Sequence, residues 1–373
     1  MDGLAFAGPL LRMLRLEKNW SQETMCRGIC AVSYLSKIEQ GKVQANEALL
    51  GELFERLNVQ WQSARHGEGA RLCAQAYEVI FSGDSRGVEE CSARLLERWD
   101  ELSVGPCYLD FLALRAYFSS DAALIPEAMK PLLDAQQRCL LELAAGNQER
   151  AAQLYPCALT VLCAGAKAYR DGNYTLALEN LQRSYDMACR EGYVWLMLDS
   201  QVYIANCYSD LRNVTATQAH STIAKRLAQA LGAAETERVI DYNRVCTQME
   251  CGDYEAGYSF FSTLESKNVL DLHKLAVCCE KLGKYREALA ALNRAERNAS
   301  GVEAAMCALV AYRIAHPDYL HDDEYGKLLL DTFAALRKER SAGYARFHLP
   351  WVEEWCTANR QYRLIYEIMR DFT

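Results

Sequence analysis

Apolar residues recur at intervals of three and four along most of the chain, and from about Ala70 onward no stretch alternates apolar and polar positions as a strand would. The pattern predicts an all-α protein. Its first helices are short. Pro9, tolerated in a first turn, opens a helix to about Lys18 with Leu11, Leu14 and Met13 as its apolar face. Ser21 then caps SQETMCR, because its hydroxyl can accept the unpaired N–H groups of a first turn, where Glu23 also complements the helix dipole. That helix stops at Gly28, Ile29 to Ala31 form a tight turn, and VSYLSKIEQ makes a third helix. Leu35 and Ile38, three apart, point to the core, which leaves Val32, Ser33, Ser36 and Lys37 on the other face. Gly41 suits the left-handed position that closes a helix. Asn46 caps a fourth, in which Leu49, Leu50, Leu53, Phe54 and Leu57 fall at helical spacing.

Beyond this head the pattern becomes a series of longer helical pairs, five of them between Ala70 and Arg297, with Leu102 to Tyr155 helical but poorly matched. From Cys157 to His316 there is no proline. A turn recurs, as Gly172-Asn173-Tyr174, Gly252-Asp253-Tyr254 and Gly283-Lys284-Tyr285, with Gly83-Asp84-Ser85 as a weaker copy. The last two clear copies lie 31 residues apart, near the tetratricopeptide period of about 34. After each turn come small and large apolar residues in alternation: Ala177 and Leu181, Gly257 and Phe261, Ala288 and Leu292. This is the pattern that packs one helical hairpin on the next, so residues 67–373 are predicted to form a tetratricopeptide-like α-solenoid.

Charge separates the two parts. Residues 1–66 carry 8 Lys and Arg against 7 Asp and Glu, whereas the remaining 307 carry 33 against 42. Six basic residues against three acidic ones lie between Leu10 and Ala45, among them Arg12, Arg15, Lys37 and Lys42. A mildly basic head on an acidic body suits nucleic-acid binding by the head alone. No apolar run is long enough to span a membrane, and MDGLAFAGPLLRMLRLEK has no basic segment before its apolar residues, so the expected location is the cytoplasm. The sixteen cysteines lack paired CxxC spacing and are expected to be reduced core residues. His316 and His321 stand beside Asp322 and Asp323, but Pro317 breaks any common helical face, so no metal site and no cofactor are expected. Nor is there a P-loop, GxSxG, HExxH or glycine-rich dinucleotide turn, and the chain is not expected to be an enzyme.

Four short helices with a tight turn between the second and third describe a helix-turn-helix domain over residues 1–66. SQETMC followed by SYLSKIEQGK resembles the Xre, or lambda-repressor-like, type, and the short GIC turn is similar to the peptide-responsive quorum-sensing regulators of Gram-positive bacteria, the Rgg and PlcR group. The resemblance implies phosphate contacts from Ser21, Gln22 and Lys42, and base-edge contacts from Val32, Ser33, Ser36 and Lys37 in the major groove. Ala31 departs from the serine cap common before the recognition helix, a change worth about 1 kcal/mol of helix stability.

In that family an asparagine eleven positions before the turn tyrosine holds a peptide backbone. The count from Tyr254 reaches Asn243; from Tyr174 and Tyr285 it reaches Cys163 and Lys274. Helical spacing adds Tyr203, Asn206 and Tyr242 as groove candidates beside Asn243 and Lys274. At the C-terminus, Ile365, Ile368, Met369 and Phe372 can cap the array or join a partner subunit. The implied protein is a cytoplasmic transcriptional regulator that binds a double-stranded operator as a homodimer, with a short signalling peptide in its repeats and no membrane partner. The alternative is a repeat scaffold that binds a regulatory protein, with or without DNA binding by the head.

Overall fold

The computed structural model describes residues 4–61, 67–98, 102–340 and 342–370, and among these every regular element is helical. The predicted boundary at residue 66 and the predicted cap residue Phe372 lie outside the described residues. Two compact units are present: residues 1–207 with 226–232, and residues 208–225 with 233–373.

Unit 1 begins with α1 (Ala7–Glu17), α2 (Gln22–Cys26), α3 (Val32–Glu39) and α4 (Glu47–Arg56). Local chemistry sets their ends as expected. Ser21 accepts the Thr24 N–H at 3.0 Å and Asn46 the Leu49 N–H at 2.8 Å, while Ala31 provides no side-chain cap. Gly41, at φ +68°, follows the end of α3 in the left-handed conformation. The inward face of α1 differs from the expected one. Leu10 and Leu11 are buried with Arg15, whereas Met13 and Leu14 are only half-buried, because α1 packs on α3 through its Gly8 side.

The repeats start with α5 (Glu68–Ser82) and α6 (Ser85–Glu97), then α7 (Tyr108–Phe118), two 3₁₀ turns (Ala122–Leu124 and Lys130–Leu132), α8 (Ala135–Ala144) and α9 (Gln148–Leu154). Pro106, Pro126, Pro131 and Pro156 fall outside these α-helices, so the stretch from Leu102 to Tyr155 breaks into short pieces where the hairpin period fails. Regular pairs resume with α10 (Ala158–Arg170) on α11 (Tyr174–Glu191), followed by α12 (Val194–Asp210) and α13 (Val214–Ala230).

Unit 2 continues with α14 (Ala234–Glu250), α15 (Tyr254–Thr263), α16 (Val269–Lys281), α17 (Tyr285–Glu296), α18 (Gly301–Ala315), α19 (Asp323–Glu339), α20 (Ala342–Ala358) and α21 (Tyr362–Arg370). Successive helices from α14 to α21 pack on one another over a core that includes Met249, Phe261, Val277, Met306, Leu329 and Trp355. Leu364, Ile365 and Ile368 of α21 lean on that core, while Met369 is exposed. The three repeat turns share one backbone shape. Gly172, Gly252 and Gly283 adopt φ of +78°, +92° and +74°, and Asn173 and Asp253 cap the helices that follow. Gly83 and Asp84 form the same turn, and Arg212 with Asn213 repeats it without glycine.

Candidate functional site

The exposed face of α3 is set by the packing of that helix. Leu35, Ile38 and Glu39 are buried, which turns Val32, Ser33 and Lys37 outward. Val32 is 43% exposed and Tyr34 37%, so two large side chains on this short helix are without core. Ser36 is half-buried, and its Oγ accepts a hydrogen bond from Gln40 Nε2 at 3.1 Å. Lys42 is exposed and is held near the helix end by its backbone N–H, which donates to the Lys37 carbonyl at 2.9 Å. Tyr34 and Gln40 belong to this exposed surface though sequence reasoning did not select them. Helical spacing from Ser36 and Lys37 could have found Gln40; Tyr34, as a large apolar residue, reads as core.

Behind α3 lies an ion pair that corrects one expectation. Arg15, read from the sequence as part of a basic surface, is 7% exposed and clasps Glu39, itself 3% exposed. Arg15 Nε donates to Glu39 Oε1 at 2.6 Å and Nη2 to Oε2 at 2.8 Å, while Nη1 donates to the Trp20 carbonyl at 2.5 Å. The guanidinium is removed from the surface because only there can it satisfy a buried carboxylate in fork geometry. Gln22 Nε2 donates to the same carboxylate at 2.9 Å. One amide hydrogen of Gln22 therefore serves the joint between α2 and α3, while Ser21 stands exposed at the N-cap.

The five residues selected in the repeats fall into two groups. Tyr203 and Asn206, both half-buried on α12, belong to unit 1, where Tyr203 meets Tyr169 edge-on at 5.8 Å. Tyr242 and Asn243 on α14 and Lys274 on α16 belong to unit 2. The Tyr242 ring packs edge-on against Phe261 at 5.7 Å, and its buried hydroxyl has no hydrogen-bond partner among the described residues. Asn243 is half-buried, and its backbone carbonyl accepts from Thr247 Oγ1 at 2.9 Å.

Lys274 is not a groove-surface residue: it is 3% exposed, with Nζ 2.7 Å from the centre of the Phe347 ring. Burial lowers its pKa to about 8, against the pull of Cys246 and Glu250, which favour the charged form. Beside it, the buried rings of His273 and His348 stack with centroids 5.6 Å apart. His348 Nδ1 lies 2.8 Å from the Tyr344 carbonyl; its Nε2 and both nitrogens of His273 lack partners among the described residues. Burial, reinforced by Lys274, lowers both pKa values, that of His348 to about 3. No periodicity in the sequence marks this cluster, because its members come from α16 and α20. Among the described residues no group of His, Cys, Asp or Glu could hold a metal ion, and no helix is long and apolar enough to cross a membrane.

Comparison with known proteins bears on the head first. Residues 11–62 match the family model described as Helix-turn-helix. The head is a helix-turn-helix domain. A solved structure, the crystal structure of a Rap protein complexed with competence and sporulation factor, is similar in fold, with 15% identity, a TM-score of 0.53, and coverage of 82% of this chain and 99% of that one. A PrgX mutant structure aligns over 65% of this chain and 95% of its own at 13% identity, with a TM-score of 0.27. No curated protein sequence matches the chain. The helix-turn-helix domain thus precedes a helical repeat region of the kind found in the Rap structure.

Proposed function

We propose that the protein is a cytoplasmic transcriptional regulator, without enzymatic activity, in which a homodimer of helix-turn-helix domains reads an operator under the control of a short peptide bound by the repeats. The observation that carries the DNA-binding part is the division of α3. Leu35, Ile38 and Glu39 are locked inward, so Ser33, Lys37 and the flanking Val32 are presented together on an exposed helix of the right type. Two-fold pairing follows from the small size of the reading surface, since one short helix offers few base contacts and two heads can read half-sites a helical turn or a multiple of it apart.

Support for a ligand in the repeats is of two kinds: the similar fold of a Rap protein complexed with competence and sporulation factor, and polar side chains such as Asn243 on a half-buried helix face. An amide offers a donor and an acceptor, which suits a peptide backbone of any sequence. The test of the DNA reading uses duplexes selected from a randomised pool. Lys37→Ala and Ser33→Ala are expected to weaken binding to the selected duplex more than to random DNA, whereas Lys42→Ala weakens both alike. Base-edge contacts carry discrimination of about 1–3 kcal/mol each, while phosphate contacts act on any sequence. Equal losses from all three substitutions would remove α3 as the reading element. For the peptide, native mass spectrometry of protein purified from expressing cells should reveal an added peptide mass.

A further inference from the structure

The core of the helix-turn-helix domain does not close on itself. Phe6, Leu10, Leu53 and Trp61 share one buried cluster with Tyr108, Leu112 and Ala116 of α7, and that cluster continues through Ile125, Met129 and Leu133. Aromatic rings run across the junction: Phe54 stacks on Trp61 at 4.8 Å, Trp61 on Phe6 at 6.3 Å, and Phe6 meets Tyr108 at 5.6 Å. Tyr108, Leu112 and Ala116 are spaced by four, so one face of α7 lies in the cluster it shares with the head, and Tyr108 meets Phe6 there directly.

The rest of α7 is given to the repeats. Its sequence, YLDFLALRAYF, is apolar almost all round, and Phe111, Ala113 and Leu114 are buried as well. A helix of that composition is stable only where it is covered on more than one side. Here α5, α6 and α8 provide the cover. Asp110 pins the arrangement, accepting hydrogen bonds from Tyr77 of α5 at 3.1 Å and from Gln137 of α8 at 2.7 Å.

We infer that α7 and the two 3₁₀ turns after it are a docking surface whose partner is the helix-turn-helix domain of the same chain, so that the head is carried as part of unit 1 rather than tethered to it. Any signal from the repeats then reaches α3 through the packing of α7.

The experiment uses the full chain with residues 62–66 replaced by a protease recognition sequence. After cleavage, size-exclusion chromatography is expected to return the fragment up to residue 61 and the remainder together in equal amounts. Elution of the head fragment by itself would overturn the inference. Carrying Tyr108→Ala and Leu112→Ala, the cleaved protein should release the head. A second measurement needs no variant: hydrogen exchange of the uncut protein should protect amides of α1 and α4 to within about tenfold of those of α7. Exchange of the head amides a hundredfold faster than α7 would likewise overturn it.

Discussion

At the scale of single residues, the strongest constraints are buried charges and rings. Removing Arg15 leaves Glu39 buried without its cation, so Arg15→Met is expected to cost about 3–5 kcal/mol of stability. The double variant Arg15→Met/Glu39→Met should recover most of that loss, which a urea-denaturation cycle measures; additive losses would show that the two side chains act separately. The histidine pair gives a pH dependence whose sign follows from its lowered pKa values. Both rings are neutral in the folded protein, so as pH falls below the ordinary histidine value of about 6.5 the unfolded chain takes up protons that the folded one refuses. Stability should be full above that value and fall on going from pH 7 to pH 5, by up to about 2.7 kcal/mol per pH unit for two protons. Thermal unfolding at pH 7, 6 and 5 measures the slope, and His273→Phe/His348→Phe should flatten it. An unchanged slope in that variant would mean that other groups titrate. Burial of this kind was not legible in the sequence: Lys274 and His273 stand in a helical run like any other, and the groups that cover them, Phe347 and His348 of α20 among them, are distant in the chain.

At the scale of elements, helix ends were legible and helix packing was not. Ser21 and Asn46 cap the helices expected of them, and Asn173 and Asp253 of the recurring turns cap theirs too, because a cap is made by residues three positions away. The approach of α1 to α3 is different. A Cβ at Gly8 would stand 1.9 Å from the Ile38 carbonyl oxygen, so α1 crosses the end of α3 at a distance only glycine allows. Gly8→Ala must push the two helices apart and is expected to cost about 1–3 kcal/mol, with weaker DNA binding because α3 is displaced. Gly51, within α4, has nothing within 4 Å of an added Cβ, and Gly51→Ala should stabilise the head by about 0.5–1 kcal/mol through helix propensity. Thermal melts of both variants check the pair. Equal effects at the two positions would show that close approach is not what Gly8 provides.

At the scale of the whole molecule, the chain of 42.1 kDa is expected to sediment as a dimer at micromolar concentration, and a strictly monomeric species with or without DNA would defeat the proposed pairing of heads. The order of parts, a short-helix head before long helical pairs, was open to reading because it depends on periodicity, caps and turn residues, all of them relations among near neighbours in the chain. The helix-turn-helix domain, its exposed face at Val32, Ser33 and Lys37 and the glycine turns of the repeats follow from those relations. Tertiary structure alone decided what residues far apart do to one another: Arg15 drawn inward by Glu39, Lys274 covered by Phe347, and the head joined to α7 through Phe6 and Tyr108. Whether a charge keeps its water or an apolar face finds cover is set by groups that the chain brings together only on folding, and no local pattern encodes that.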